Sequence, residues 1–110
     1  MSVTAPDRFD AVFAALSDPT RRSIVRRLAD GEATVLELAE PFPISLPAIS
    51  RHLKVLEQAR LIERSVEGRV HRFRLRQKPL QEAGAWIERH QRFWNGAIDQ
   101  LETLLSRGTP

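Results

Sequence analysis

Residues 45–56, Ser-Leu-Pro-Ala-Ile-Ser-Arg-His-Leu-Lys-Val-Leu, constrain the fold more than any other stretch of the chain. Ser45 carries a hydroxyl able to cap a helix, and Pro47 follows within the first turn, where a missing N–H costs nothing. Ile49, Leu53 and Leu56 recur at i, i+4 and i+7, which predicts a helix with one apolar stripe. Val55 and Ala59 would widen that stripe. The opposite face carries Pro47, Ser50, Arg51, Lys54 and Gln58. A helix divided in this way must bury one side and leaves the other for a partner.

The remaining residues read as a frame for this helix. Thr4 with Asp7 offers a cap for a first helix carrying Phe9, Val12, Phe13 and Leu16 at helical spacing. Asp18-Pro19 begins a second, with Ile24, Val25 and Leu28 as its stripe and Asp30-Gly31 as its end. Thr34 with Glu37 fits a capping box for a short third helix, and Pro41-Phe42-Pro43-Ile44 breaks it. The helix capped by Ser45 is the fourth and runs to about Ala59. Leu61 to Val66 and Val70 to Leu75 read as two strands around a Glu67-Gly68-Arg69 turn. In the second strand His71, Phe73 and Leu75 would face inward, and Arg72, Arg74 and Arg76 outward. A long helix begins at Pro79 and runs to about Leu105. The expected fold is therefore mainly α with a small β-hairpin, in the order α-α-α-α-β-β-α: a winged helix-turn-helix occupying residues 1–110 as one domain. The partner-facing helix spans about 45–59, the wing about 61–76 and the terminal helix about 79–105.

Composition removes several function classes. The chain has no cysteine, which excludes disulfides, thiolate metal sites and cysteine nucleophiles. No glycine-rich phosphate loop, nucleophile elbow or clustered acid–base pair is visible, so no enzyme and no cofactor is expected. No apolar stretch is long enough to span a bilayer. Residues 1–7 lack the basic and apolar regions of a signal peptide, so a cytoplasmic location is expected. The net charge of +3 is too mild to name a partner. Only Lys54 and Lys78 among the 17 basic residues are lysines. Arginine suits phosphate and guanine, but a GC-rich genome gives the same bias.

The pattern of positions is more informative than the totals. Around the start of the fourth helix, Ser45, Leu46, Pro47, Ala48, Ser50 and Arg51 are small or able to hydrogen-bond, as a helix entering a DNA major groove requires. Ser50 and Arg51 suit base edges, Leu46 or Ala48 a thymine methyl, and Lys54 and His52 a phosphate. Arg69, Arg72, Arg74 and Arg76 place four arginines on one hairpin, with Arg69 at the tip where a minor groove would be reached. An ordinary amphipathic surface helix would carry the same stripe, and a solvated strand face the same arginines. Glu63 and Glu67 are placed to pair with some of them.

Ser50-Arg51-His52-Leu53-Lys54-Val55-Leu56, with Asp18-Pro19-Thr20-Arg21-Arg22 upstream and Glu67-Gly68-Arg69 in the wing, resembles the ArsR family of bacterial transcriptional repressors. The resemblance runs from about Phe9 to Leu105 and is closest to the cysteine-less subfamily with the Ser-Leu-Pro-Ala start and a tryptophan-rich last helix. It implies a homodimer that binds a pseudo-palindromic operator in double-stranded DNA, acts in the bacterial cytoplasm on the nucleoid, and often represses its own operon. Three departures stand out. Leu46 occupies a position that is often Gln in the family. Arg60 stands where many members have a glycine that ends the helix in a left-handed conformation. Val35-Leu36-Glu37-Leu38-Ala39 lacks the cysteines of the family's metal sensors. The family's second metal site draws Asp, His and Glu from the last helix; here Glu88 and His90 diverge on a helix and only one histidine is present, so no metal site is expected.

The last helix repeats Ala83, Ile87, His90, Trp94, Ala97, Leu101 and Leu104 in alternating steps of four and three, as in a coiled-coil seam, with Trp86 and Phe93 beside them. So long an apolar helix exceeds what a small domain covers. A two-fold dimer is expected through Trp86, Ile87, His90, Phe93, Trp94, Ile98, Leu101 and Leu105, joined by Phe9, Val12 and Phe13. Packing within the monomer, or an aromatic ligand pocket at Trp86, Phe93 and Trp94, would use the same residues. Two other functional readings stand beside the DNA-binding regulator: a winged-helix module that binds protein and not DNA, and a metal- or ligand-gated sensor of the same fold with an unknown inducer.

Overall fold

A computed structural model describes residues 8–107, the side chains of Trp94 and Arg107 excepted. The Thr4–Asp7 cap and the N-terminal segment lie outside the described residues. The element order is α1 (Arg8–Ala15), α2 (Pro19–Leu28), β1 (Ala33–Thr34), α3 (Val35–Ala39), α4 (Leu46–Gln58), β2 (Ile62–Glu67), β3 (Val70–Leu75) and α5 (Gln77–Arg107). The chain divides into two compact units, one ending at Leu80 and one beginning at Gln81, so the boundary falls inside α5.

Local chemistry sets the helix starts as the sequence suggests. Asp18 caps α2, accepting from the Arg21 N–H at 3.0 Å, with Pro19 at the first helical position. Thr34 and Glu37 close a reciprocal capping box on α3, at 3.0 and 3.2 Å. Ser45 caps α4 by accepting from the Ala48 N–H at 3.3 Å. The long helix starts at Gln77, two residues ahead of expectation, because Pro79 is tolerated inside a first turn whose N–H groups have no helical partner anyway.

Ile49, Leu53 and Leu56 are buried on one face of α4 and share the core with Val12 and Ala15 of α1, Ile24 and Leu28 of α2, Leu38 of α3, and Leu61, Ile62 and Phe73 at the sheet. Two expectations change here. Val55 does not widen the stripe; it stands exposed, while Ala59 is buried. Val12, expected at a dimer surface, is 2% exposed and belongs to the core. A stripe of apolar residues shows that a helix face is covered but not by what, and the nearer α4 covers this one.

Arg21 ties α1, α2 and α4 together. Its Nε donates to the Ala15 carbonyl at 2.6 Å and its Nη2 to the Ala14 carbonyl at 3.3 Å, capping the open C-terminal end of α1. Its Nη1 lies 3.2 Å from His52 Nδ1 on α4.

The sheet has a strand that the sequence did not announce. Ala33 and Thr34 pair antiparallel with Phe73 and Arg72, so the order is β1-β3-β2 with β3 central. Two residues are too few for alternation to register. The β2–β3 hairpin runs in register from Ile62↔Leu75 to Glu67↔Val70, leaving Gly68-Arg69 as a two-residue turn. Gly68 has φ +62°, the positive first position of a II′ turn. Phe73 is buried, and His71 and Leu75 are half-buried; of the three arginines expected to face out, Arg74 is exposed, whereas Arg72 and Arg76 are half-buried.

Candidate nucleic-acid interface

With its apolar stripe buried, α4 presents Leu46, Pro47, Ser50, Arg51, Lys54 and Gln58 to solvent, and Ala48 lies half-buried beside them. Steps of three and four between 47, 51, 54 and 58 place these residues along one face. The apolar start of that face is conspicuous: Leu46 is 47% exposed and the preceding Ile44 is 39% exposed. Ser45 is exposed, and its oxygen is already engaged by the cap, so its O–H is what it has left to offer.

The cations of this region have three different fates. Arg51 and Lys54 make no hydrogen bond or ion pair with another described residue, and neither does Arg69 at the wing turn. Arg74, by contrast, donates from Nε to Glu63 Oε2 across the hairpin at 2.7 Å, and Arg76 Nε lies 3.4 Å from Glu63 Oε1. Arg64 is bound to Glu57 of α4 at 2.6 Å. Arg72 is half-buried on β3, opposite Ser65 of β2 and Thr34 of β1. The expected set of wing arginines thus divides: Arg69 is uncommitted, Arg72 is partly covered, and Arg74 is already neutralised by a carboxylate. The expected Glu63 pairing occurs, whereas Glu67 makes no ion pair among the described residues.

His52 is half-buried between α4 and α2. A guanidinium only donates, so the Nδ1 lone pair faces Arg21 and the ring proton sits on Nε2 in the neutral form. Asp18 Oδ2 lies 3.8 Å from the same Nδ1. The Arg21 amide at the helix cap holds the Asp18 carboxyl below its usual range, with desolvation opposing and the His52 and Arg21 charges assisting. Glu37 is lowered in the same direction by the Thr34 backbone and hydroxyl that complete its capping box.

At the end of α4, Arg60 adopts φ +61°. Its N–H donates to the Glu57 carbonyl at 2.9 Å and the Leu61 N–H to the Leu56 carbonyl at 3.0 Å, the paired bonds of a Schellman motif. The left-handed residue turns the chain directly from α4 into β2, which fixes where the wing begins. Sequence reasoning overlooked Arg21, Glu57 and Arg64 as parts of this region. The available signal was Arg64, a charge at a strand position whose alternation partners are Ile62 and Val66.

The expected dimer residues fall into groups. Phe9 and Phe13 are half-buried on α1. On α5, Trp86 is half-buried and stacks on His90 with ring centroids 4.0 Å apart, and His90 Nδ1 donates to the Trp86 carbonyl at 2.8 Å. Ile87, Phe93, Ile98, Leu101 and Leu105 are all exposed, Phe93 at 69%. The Trp94 side chain lies outside the described residues. Among the described residues, no group of three or more His, Asp or Glu side chains is placed to hold a metal ion, and no helix is long and apolar enough to cross a membrane.

A family model described as a helix-turn-helix domain matches residues 16–65, from the end of α1 into β2. The HTH-type transcriptional regulator Rv2034 of Mycobacterium tuberculosis is 55% identical over 58 residues, covering 53% of this chain and 51% of that protein. The chain thus spans about half the length of that relative. The transcriptional repressor SdpR of Bacillus subtilis is 42% identical over 76 residues, covering 69% of this chain and 84% of its own. Among solved structures, one titled as the ArsR family transcriptional regulator RHA00566 is 36% identical. It superposes with a TM-score of 0.76 over 86% of this chain and 97% of that one.

Proposed function

This chain belongs to the ArsR family of transcriptional regulators, and we propose that it acts as a homodimeric repressor that reads a pseudo-palindromic operator with α4. Helix-turn-helix regulators of this family bind DNA. They are regulators and not enzymes. The observation that carries the reading is the pair of uncommitted cations, Arg51 and Lys54, on the solvent face of a helix whose Ile49, Leu53 and Leu56 stripe is buried. In this reading Ser50 and Arg51 contact base edges, and Leu46, Pro47 and Ala48 form a close apolar approach beside a thymine methyl. Ser45, His52 and Lys54 meet phosphates, and Arg69 extends the footprint from the wing tip. Arg72 and Arg74 supply field rather than direct contact.

The exposed apolar residues of α5 from Ile87 to Leu105 form the proposed dimer surface; Phe9 and Phe13 of α1 are proposed as separate dimer contacts, and Val12 is left out because it is core. In the proposed dimer the two copies of α4 enter successive major grooves, about 34 Å apart. The protein acts in the bacterial cytoplasm, on nucleoid DNA. Selection of bound duplexes from a random pool tests this directly. The expected result is an inverted repeat with half-sites one helical turn apart, enriched relative to scrambled DNA. Enrichment of no motif, or binding indifferent to salt, would refute it.

A further inference from the structure

Arg64 is the wing arginine that is tied to α4. It lies on the sheet face shared by Phe73 and His71, at a position flanked in alternation by apolar Ile62 and Val66. Its guanidinium is held from three directions. Nη2 donates to Glu57 Oε1 of α4 at 2.6 Å. The guanidinium carbon lies 5.2 Å from the centroid of the Phe73 ring, and Phe73 is the largest fully buried side chain. Nη1 is 3.5 Å from His71 Nδ1. A planar guanidinium fixed at one edge by a carboxylate and on one face by an immobile ring has little freedom left.

The location makes this contact more than a surface pair. Glu57 sits in the last turn of α4, where a negative charge opposes the helix dipole unless a cation answers it. Beyond Arg64 every residue from Ser65 to Val70 is exposed, so the distal hairpin has no core contact of its own. A two-stranded ribbon alone holds its geometry weakly. The Arg64 anchorage is therefore the outermost tie between the wing and α4 among the described contacts.

We propose that Arg64 is a positioning residue for DNA binding: its hold on Glu57 and Phe73 sets the angle between α4 and the wing, and so lets Arg51 and Arg69 engage one duplex together. This rests on the reading of α4 and the wing as the DNA-contacting elements. The pair is partly exposed, 39% for Arg64 and 29% for Glu57, so its effect on overall stability is small. Its effect is geometric and appears as coupling between residues.

A double-mutant cycle measures that coupling. Arg64→Met keeps an unbranched stem over the Phe73 ring and removes the charge. Wild type, Arg64→Met, Arg69→Ala and the double variant are titrated by anisotropy against a labelled duplex that the wild type enriches from a random pool, with thermal melts in parallel. Arg69→Ala should weaken binding about tenfold in the wild type and about threefold or less beside Arg64→Met, with melting little changed. Glu57→Gln should reduce the Arg69 effect in the same way, because it loosens the anchor while leaving the Arg64 charge in place. It also carries the cycle if Arg64→Met does not fold. An equal Arg69→Ala cost in all backgrounds overturns the positioning role alone. So does a Glu57→Gln variant with unaltered coupling, since Arg64 would then act by its charge. A neutral Arg69→Ala in the wild type overturns the wing contact itself, and the positioning role with it.

Discussion

Arg60→Gly should make this protein more stable, although it deletes a charged side chain and adds the most flexible residue. Arg60 holds φ +61°, a conformation that costs an L-residue about 1–2 kcal/mol. Glycine escapes that cost but loses about 0.5–1 kcal/mol more backbone entropy on folding. The balance favours glycine by about 0.5–1 kcal/mol. Nothing the residue contributes is lost. Its N–H bond to Glu57 and its carbonyl, which accepts from Arg76 Nη1 at 3.3 Å, belong to the backbone and survive the substitution. Leu56 and Leu61, the apolar pair of the Schellman motif, are both fully buried and untouched. In thermal melts at fixed protein concentration the variant should gain about 2–4 °C. Arg60→Asn should gain less, and Arg60→Val should lose stability because a β-branched residue suits this φ worst. The reasoning fails if glycine lowers the melting temperature, or if valine equals wild type, since the position would then carry no left-handed strain.

Other substitutions separate the proposed roles. Arg51→Ala should reduce the ratio of operator to scrambled-DNA affinity about tenfold, whereas Arg69→Ala should weaken both duplexes alike; equal losses for Arg51→Ala would remove its base-reading role. Asp18→Ala should cost about 1 kcal/mol through loss of the α2 cap. Because the Asp18 and Glu37 carboxyls are held below their usual range in the folded chain, the stability they add is present above the ordinary carboxylate range and lost as pH falls through the lowered values. Acid melts of Asp18→Ala should therefore fall less steeply than wild type below about pH 4, and a parallel fall would contradict that linkage. Leu101→Glu places a charge at the proposed two-fold interface in both copies. Sedimentation should show dimer association weakened about hundredfold, with each monomer still helical.

What the chain disclosed in advance was whatever local chemistry controls. The Ser45, Thr34 and Asp18 caps act within three residues of themselves, and the Ile49, Leu53 and Leu56 stripe is periodic, so both could be read directly. The Gly68 turn was legible because its neighbours alternate on either side. Strand β1 was not, because two residues have no period and its pairing with Phe73 and Arg72 is set nearly forty positions away. The same limit applies to charge. The sequence placed Glu63 near the hairpin arginines without saying which it would meet; antiparallel register puts it opposite Arg74 and leaves Arg69 at the turn without a charge partner among the described residues. Val12 shows the converse error: helical spacing identified an apolar residue correctly and could not say whether α4 or a second protomer would cover it.

That division of the arginines has a measurable consequence. Counterion release counts only cations that reach phosphates unpaired, and each contributes about −0.9 to the slope of log affinity against log salt on duplex DNA. Arg74 and Arg76 share Glu63, and Arg64 belongs to Glu57, so moving any of them to a phosphate first requires breaking an ion pair. Arg51, Lys54 and Arg69 require no such step. With Arg51 on a base edge, Lys54 and Arg69 make two phosphate contacts from each protomer of a dimer and predict a slope of about −4, whereas an interface that also used Arg72 and Arg74 would approach about −7. Titrations against the selected duplex across a salt series distinguish these values. Glu63→Gln offers the matching control: it frees Arg74 and Arg76 and should steepen the slope by about 4 units per dimer at most. A wild-type slope of about −7, unchanged by Glu63→Gln, would mean that the hairpin pairs open on binding. The free-state geometry of the wing would then be a poor guide to its contacts.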